Sequence, residues 1–348
     1  MRRKADYFRG CLVGGAIGDA LGYPVEFMSY SQIQQRYGSQ GIQDLQLGPK
    51  GMAEISDDTQ MTLFTAEGIL RAQTRGILRG ICHIPSVVYF AYQRWLMTQG
   101  YPKQEEYDWA YDGWLVKVPE LYARRAPGNT CLSVLQSREQ GTTTQLINDS
   151  KGCGGVMRVA PVGLFYAKER AFELAAEIAA LTHGHPSGYL SAGALAYIIA
   201  CLIEGQELTD AVDNGLLELE KNKGHQECSD ALRHALDLVE SDMPDFEAVS
   251  ALGEGWVGEK ALAISVYCAL RHKNNFSQAL IAAVNHDGDS DSTGAITGNI
   301  MGAYLGLQQI PDQWVESVEL LPVIKTLADD LLVEYDEDNV NWERYPGY

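Results

Sequence analysis

Small residues recur at every fourth position in three stretches of this chain, a spacing that places them on one face of a helix. A glycine inside a helix costs about 1 kcal/mol relative to alanine, so its repeated use implies that other backbones pack closely against these faces. The stripes therefore predict a tightly packed central group of helices. They are Gly10, Gly14, Gly18 and Gly22; Gly294, Gly298, Gly302 and Gly306; and Gly188, Ala192, Ala196 and Ala200.

Apolar residues recur at helical spacing along almost the whole chain, whereas the alternation typical of strands is scarce. Repeated strand–helix units are also missing, which argues against a doubly wound sheet. We predict an all-α fold in a single large domain, 1–348, with an aromatic loop and short helical pieces over 100–130. The predicted helices are 6–21, 59–75, 85–99, 130–139, 155–167, 170–182, 187–204, 208–221, 228–240, 258–272, 275–285, 292–306 and 315–333.

The composition excludes several classes of partner. A net charge of −19 argues against nucleic acid and anionic membranes, because both require a basic face on the protein. The seven cysteines include no CxxC pair, which is typical of reduced thiols and predicts a cytoplasmic protein. We expect no signal peptide and no stretch of about 18 apolar residues that would span a bilayer.

Two acidic clusters stand at the starts of predicted helices. The first is Ser56-Asp57-Asp58-Thr59, and the second runs from Asp287 to Thr293. Packed carboxylates are costly unless positive charge neutralises them. Together with the neighbouring hydroxyls they offer only hard oxygen ligands, which suit Mg²⁺, Mn²⁺ or Ca²⁺ rather than zinc. If the fold brings the two clusters together, they form a site with room for two cations.

A plain structural interpretation exists for each cluster, because Asp and Ser are ordinary helix N-caps. The second cluster also resembles part of a calcium loop. That match fails, since Ser292 stands where the turn needs glycine and Gly298 stands where a bidentate glutamate belongs. Three aspartates within five residues exceed what a cap needs, and this excess favours a metal site.

Two further stretches contain candidate functional residues. One carries Asp19 and Glu26, and the latter is equally well explained as a solvated loop carboxylate. The other is glycine-rich and is predicted to lead into a helix near Val156, where backbone N–H groups can bind a pyrophosphate. The chemistry-bearing segments are GGAIGDALGYPVEF (14–27), SDDTQMTL (56–63), GCGGVMRVAP (152–161) followed by THGHP (182–186), and GDSDSTGAITGNIMGAYLG (288–306).

Taken together and in this order, the segments resemble the ADP-ribosylglycohydrolase family, which includes the dinitrogenase reductase-activating glycohydrolase and the ADP-ribosylarginine hydrolases. The resemblance spans roughly residues 8–306. It implies an all-helical orthogonal bundle with two divalent cations, Mg²⁺ or Mn²⁺, at the base of a cleft. It also implies hydrolysis of the N- or O-glycosidic bond between ADP-ribose and a protein side chain.

The resemblance implies roles for individual residues. Asp58, Asp289 and Glu26 are implied to be catalytic, with Glu26 acting as a gate, a ligand or a base. Asp287 has no settled family role, and we interpret it as a helix cap or as a residue that supports the metal ligands. The implied metal ligands are Ser56, Asp57, Asp58, Asp289, Asp291 and Ser292. The implied substrate-binding residues are Gly152, Cys153, Gly154, Gly155, Val156, Met157 and His183.

Several residues keep more than one interpretation. Arg158 either contacts phosphate or serves a structural role, and His185 is favoured as a loop histidine before Pro186. Many family members carry Asn where this chain has Cys153, and a reactive-thiol role for it is disfavoured. A group of aromatic residues has three interpretations: it stacks on adenine, it binds a target protein or, as we favour for most of its members, it packs in the core and loops. Its members are Tyr101, Tyr107, Trp109, Tyr111 and Trp114.

The expected function is that of an Mg²⁺- or Mn²⁺-dependent hydrolase that releases ADP-ribose from a modified protein side chain. Arginine is the favoured linkage, by resemblance to the bacterial members. The alternatives are another ADP-ribose conjugate, Ser-linked or O-acyl, and an immunity or binding protein that neutralises an ADP-ribosylating toxin. The expected partners are an ADP-ribosylated protein and, in the last case, an ADP-ribosyltransferase or toxin.

Overall fold

Helices joined by loops of varied length account for the fold of the computed structural model, which describes residues 1–347. Over that range no β-strand forms, and only isolated bridges pair Leu47 with Ala53, Ala53 with Val318, and Gly152 with Val257. The all-α prediction is therefore confirmed. The α-helices are α1 (Ala5–Gly22), α2 (Tyr30–Tyr37), α3 (Asp57–Arg79), α4 (Ile84–Thr98), α5 (Asn129–Ser137), α6 (Ala160–Phe165), α7 (Lys168–Ala180), α8 (Pro186–Glu204), α9 (Leu208–Leu219), α10 (Gln226–Val239), α11 (Asp245–Leu252), α12 (Gly258–Arg271), α13 (Phe276–Val284), α14 (Ser290–Leu305), α15 (Asp312–Ser317) and α16 (Leu321–Leu332).

Short 3₁₀ helices fill several of the connections. Three of them lie within 105–122, as expected for an aromatic segment with short helical pieces. They are Tyr23–Val25, Glu105–Ala110, Leu115–Lys117, Pro119–Tyr122, Cys153–Gly155 and Leu307–Gln309.

The structure differs from the predicted helices at four places. Helices α2 and α11 were not predicted, although Ser29 and Gln32 form a capping box that marks the start of α2. The predicted helix 315–333 is two helices, because Leu320 adopts a left-handed conformation with φ 61° between them. The predicted helix 155–167 begins only at Ala160, since Pro161 lacks an N–H and fits the first turn of a helix.

The glycine stripes of α1 and α14 face each other, as their spacing predicts. A Cβ atom built on Gly18 would lie 2.0 Å from the carbonyl oxygen of Gly294. One built on Gly302 would lie 1.9 Å from the carbonyl oxygen of Gly10. The two helices therefore run antiparallel in backbone contact, and the end of α1 meets the start of α14.

The third stripe lies on α8, where Ala196 faces α6. A Cβ atom on Gly163 of α6 would lie 2.4 Å from the carbonyl oxygen of Ala196. Helix α8 is also long and apolar enough to cross a membrane by length and composition, so the expectation that no such stretch exists is wrong for this helix. In the structure 89% of that window is buried, because α6, α7, α9 and α12 pack around it.

Three helix ends meet at one place. The C-terminal end of α1 and the N-terminal ends of α3 and α14 converge, since α1 contacts α14 and both contact α3. The acidic segments 56–58 and 289–291 stand at the last two of these ends. Packing of the glycine stripes thus determines where the acidic side chains lie.

We predict that Gly298→Ala destabilises the protein, because its Cβ would lie 2.0 Å from the carbonyl oxygen of Gly14. Overpacking of this kind costs about 1–3 kcal/mol. The control is Gly76→Ala in α3, where the nearest atom to the new Cβ is 4.0 Å away. That control should gain up to about 1 kcal/mol from helix propensity. Urea unfolding measures both free energies, and equal values would contradict the close contact.

Candidate functional site

One member of each acidic cluster serves as a helix cap. The Ser56 hydroxyl accepts a hydrogen bond from the backbone N–H of Asp58 at 3.2 Å, at the start of α3. The Asp289 carboxylate accepts one from the N–H of Ser292 at 3.3 Å, at the start of α14. The cap interpretation is therefore correct for these two residues, but it leaves Asp57, Asp58 and Asp291 unexplained.

Asp19, at the end of α1, fastens the first cluster in place. Its carboxylate accepts hydrogen bonds from the Ser56 N–H at 2.9 Å and from the Thr59 N–H at 3.1 Å. The Thr59 hydroxyl donates a third at 2.5 Å. Asp19 is fully buried, and no metal role was predicted for it. It acts as a second cap of α3 that comes from a neighbouring helix.

The two clusters meet in one cavity of about 280 Å³. Five carboxylates line it, and no lysine, arginine or histidine does. The glycine-rich segment and two aromatic side chains complete the wall. The lining residues are Glu26, Phe27, Asp57, Asp58, Ala126, Pro127, Gly128, Asn129, Cys153, Gly154, Met157, Trp256, Asp289, Asp291 and Ser292.

The carboxylates around this cavity are only partly satisfied by hydrogen bonds. Asp57 accepts the N–H of Gly128 at 3.1 Å, and Asp289 accepts the Cys153 thiol at 2.7 Å. Asp58 Oδ1 and Glu26 Oε2 are buried and have no hydrogen-bond partner. Among residues 1–347, none of the five lining carboxylates forms an ion pair with a basic side chain. The cavity thus gathers negative charge without positive charge from the protein.

Burial raises the pKa of every carboxyl in the group, and repulsion between the acids raises the pKa further for all of them except Asp291. Burial, and then the charges of Asp291 and other acids, raises the pKa of Glu26 to about 10. The same two causes raise the pKa of Asp19 to about 7. Burial comes first also for Asp57, Asp58 and Asp289, whose pKa values lie well above the ordinary range. The ionised cluster is therefore unfavourable unless a cation joins it.

The donor chemistry of the cluster fits a hard cation, although the side chains are not arranged around one. Carboxylate and hydroxyl oxygens are the ligands that Mg²⁺ and Mn²⁺ prefer, and Asp58, which lines the cavity, has an oxygen without a hydrogen-bond partner. Across the described chain, however, no three His, Cys, Asp or Glu side chains converge closely enough to hold one ion. Hydrogen bonds to Gly128 and Cys153 occupy oxygens of Asp57 and Asp289 instead.

The glycine-rich segment contributes part of its predicted residues to the cavity. Cys153, Gly154 and Met157 line it, while Gly155 and Val156 are buried behind them. The Cys153 N–H donates to the carbonyl oxygen of Trp256 at 3.1 Å, which joins the segment to the loop before α12. The segment forms a 3₁₀ turn, so a phosphate here would meet that turn rather than the start of an α-helix.

His183 supports the glycine-rich segment from behind and does not line the cavity. A Cβ atom on Gly154 would lie 3.1 Å from the imidazole Cε1. The ring Nδ1 is hydrogen-bonded to the Thr182 hydroxyl at 2.8 Å. Burial, reinforced by the Arg158 charge, lowers the pKa of His183 to about 3, so the ring is neutral. Its role toward a substrate remains a prediction, whereas its contact with the glycines is direct.

Arg158 and His185 occupy structural positions. Arg158 is fully buried, its guanidinium lies 4.3 Å from the Tyr92 ring centroid, and it donates to the Thr182 hydroxyl at 2.7 Å. These contacts favour the structural interpretation of Arg158. His185 caps α8, where its Nδ1 accepts the N–H of Ser187 at 3.1 Å.

Sequence reasoning missed an aromatic pair at the cavity. The rings of Phe27 and Trp256 are stacked with centroids 5.3 Å apart, and both line the cavity. Phe27 adopts φ 64°, a conformation that a bulky residue rarely takes, and its side chain is largely exposed. The aromatic group proposed from 101–114 does not line this cavity, and Trp109 instead lines another of about 840 Å³. No sequence signal pairs Phe27 with Trp256, since 229 residues separate them (256 − 27).

Known proteins resemble the chain along nearly its whole length. The family model described as ADP-ribosylglycohydrolase matches residues 1–341. The chain is 26% identical over 363 residues to the ADP-ribosylhydrolase ARH3 of Bos taurus, covering 94% of this chain and 93% of that protein. It is 25% identical over 339 residues to the ADP-ribosylarginine hydrolase Tri1 of Serratia proteamaculans, covering 96% and 81%.

A solved structure titled "ADP-ribosylglycohydrolase-related protein complex" superimposes with a TM-score of 0.66 at 25% identity, covering 95% of this chain and 98% of that one. The match to the family model extends beyond residue 306, to which the motifs reach, and includes all of α15 and α16. The chain therefore belongs to the ADP-ribosylglycohydrolase family and is a hydrolase that acts on glycosidic bonds of ADP-ribose.

Proposed function

We propose that this protein uses divalent cations to release ADP-ribose from a modified protein side chain, with arginine as the preferred linkage. The observation that supports the proposal most strongly is the shared cavity. Carboxylates from both acidic clusters line it together with the glycine-rich segment and an aromatic pair. Carboxylates and an aromatic surface in one cavity suit a ligand with a reactive sugar and a base.

Two cations would be held by Ser56, Asp57, Asp58, Asp289, Asp291 and Ser292. When bound, such ions orient ribose hydroxyls and polarise water. The protein's own contribution is to fix the acids. Asp57 is held by Gly128, and Asp19 holds the backbone of Ser56. Glu26 brings an oxygen without a partner to the same cavity, where it would accept a hydrogen bond from the attacking water.

The reaction that these residues support is cleavage at the anomeric carbon. The water oxygen forms a bond to that carbon, the carbon–nitrogen bond breaks, and the water proton passes to the leaving guanidine. The transition state resembles an oxocarbenium ion, which carboxylates stabilise. Nothing in this arrangement acts on the pyrophosphate, so the ADP-ribose leaves intact.

The diphosphate and the adenine would bind along the cavity wall. Backbone groups around Gly154 suit the diphosphate, because a glycine lets a ligand approach the main chain closely. The Phe27–Trp256 pair offers an exposed ring face to the adenine. Base stacking on aromatic side chains is worth about 1–3 kcal/mol.

Arginine is preferred because no basic side chain lines the cavity, and because two divalent cations would balance the four lining aspartates and leave Glu26 as a further carboxylate. An ADP-ribosylated guanidinium is cationic and is attracted to such a surface, whereas a serine conjugate is neutral at this position. The relative named an ADP-ribosylarginine hydrolase supports the same choice. Serine-linked and O-acyl conjugates are the alternatives that a direct assay distinguishes.

The product assay tests the proposal. We expect release of ADP-ribose, and no AMP, from an arginine-linked protein conjugate in Mg²⁺ or Mn²⁺, with loss of activity in chelator. A serine-linked conjugate should react more slowly. Chromatography of the products identifies each species. AMP would indicate a pyrophosphatase, and no release from either conjugate would favour a protein that only binds its partner.

We predict that Asp58→Asn and Asp289→Asn each weaken Mg²⁺ and Mn²⁺ binding by an order of magnitude or more, because each removes a charged ligand. Asp287→Asn is the control. Asp287 belongs to the same acidic sequence, but it is exposed and accepts the N–H of Tyr30 at 2.5 Å. Isothermal titration calorimetry measures all three variants. Unchanged affinity in both cluster variants would rule out a shared cation site.

We predict that Trp256→Ala weakens ADP-ribose binding by about 1–3 kcal/mol, because the base loses its stacking surface. Trp109→Ala is the matched control, since Trp109 is half-exposed and lies outside the cavity. Calorimetry with free ADP-ribose compares the two. If Trp109→Ala had the larger effect, the base would bind at the aromatic segment instead.

A further inference from the structure

Arg125 joins two segments that line the acidic cavity. Its Nη1 donates to the carbonyl oxygen of Ile55 at 2.9 Å, directly before the first cluster. Three residues after Arg125, the N–H of Gly128 donates to the Asp57 carboxylate at 3.1 Å. These contacts close a ring that runs from Arg125 through residues 55–57 and back through 126–128.

The Ile55–Ser56 peptide is held from both sides. Arg125 binds its carbonyl oxygen at 2.9 Å, and Asp19 accepts its N–H at 2.9 Å. Because the peptide unit is planar, these two contacts fix its orientation. The orientation of this peptide determines where the chain enters α3, and therefore where the side chains of the first cluster point.

Glu319 fixes the guanidinium of Arg125. The two side chains form a two-bond fork of 2.5 and 3.3 Å, with 12% and 7% of their surfaces exposed. Glu54 adds a contact at 3.2 Å. A planar fork of this kind sets the direction of a guanidinium in a way that a lysine ammonium cannot.

The interruption between α15 and α16 explains how Glu319 reaches this place. Its N–H donates to the carbonyl oxygen of Ala53 at 3.0 Å, and the left-handed Leu320 turns the chain away immediately afterwards. A continuous helix over 315–333 would satisfy the Glu319 N–H within the helix and would not pair this backbone with Ala53.

We propose that Arg125, oriented by Glu319, is a positioning residue that sets the geometry of the Ser56–Asp58 cluster and of the Gly128 wall. The proposal rests on the proposed hydrolase function for its effect on turnover. Arg125 does not line the cavity, so it acts through the peptide of Ile55 and through Gly128. The C-terminal segment, which carries none of the acidic or glycine-rich motifs, thereby contributes to the active site.

The test compares Arg125→Met, Arg125→Lys and Glu319→Gln with the control Arg9→Met. Arg9 forms a similar fork with Asp329, at 2.7 and 2.7 Å, between α1 and α16, and it does not line the cavity. Two quantities are measured: kcat and KM for ADP-ribose release, and amide hydrogen exchange at Ser56, Thr59 and Gly128. Thermal unfolding verifies that each variant is folded.

We expect Arg125→Met to lower kcat by about tenfold to a hundredfold, as for residues that orient metal ligands, with KM changed by less than about threefold. Exchange at Ser56 and Gly128 should accelerate at least tenfold. Arg125→Lys keeps a cationic donor, so its kcat and its exchange rates should lie between those of Arg125→Met and the wild type. Arg9→Met should change neither quantity.

Turnover and exchange equal to those of Arg9→Met would overturn the proposal. If the wild-type protein released no ADP-ribose, the hydrolase function would fail, while amide exchange would still decide whether Arg125 positions these segments. If Arg125→Met did not fold, Glu319→Gln would decide in its place. That variant retains Arg125 and removes the negative charge and one of the two acceptor oxygens that orient it.

Discussion

The close backbone contact between α1 and α14 is the constraint on which the site depends. Where two helices meet through glycines, their backbones approach within the distance that side chains normally occupy. The approach continues to the helix ends, where a Cβ on Gly22 would lie 2.2 Å from the carbonyl oxygen of Ser290. Asp19, near the C-terminal end of α1, and Asp291, in the first turn of α14, therefore lie in the same buried environment. Any side chain on the stripe would separate them.

That environment explains why the acids alone do not stabilise the fold. A carboxyl whose pKa is raised in the folded state binds its proton more tightly than in the unfolded chain, so its contribution to stability falls as the pH rises toward the folded pKa. Burial and Asp291 produce this effect at Asp19, whose pKa rises to about 7, and at Glu26. Cations bound in the cavity would reverse the repulsion and stabilise the ionised forms. The ionised cluster would therefore be more stable with bound cations than without them.

The sequence predicts the parts of this structure that local pattern determines. Four-residue glycine spacing identified the faces of α1 and α14, and carboxylates next to hydroxyls at predicted helix starts singled out both acidic clusters. The interruption at Leu320, the stacking of Phe27 on Trp256 and the fork between Arg125 and Glu319 were not predicted. Each depends on residues far apart in the chain, as Arg125 and Glu319 are by 194 positions. Local periodicity carries no information about such pairs.

The acids on helix ends and the aromatic residues on loops have different consequences for specificity. The acids stand on helix ends that the glycine contact and Asp19 hold rigidly. The aromatic pair and the Gly128 wall stand on loops, where substitutions perturb the helix packing least. Under the proposed function, a change at Phe27 or Trp256 would alter which base is accepted and would leave the aspartates on the helix ends in place. Arg125 is the exception, because it lies on a loop yet fixes the peptide at the start of α3. Together with the hydrogen bond from Gly128 to Asp57, that contact joins the loop wall to the acidic cluster.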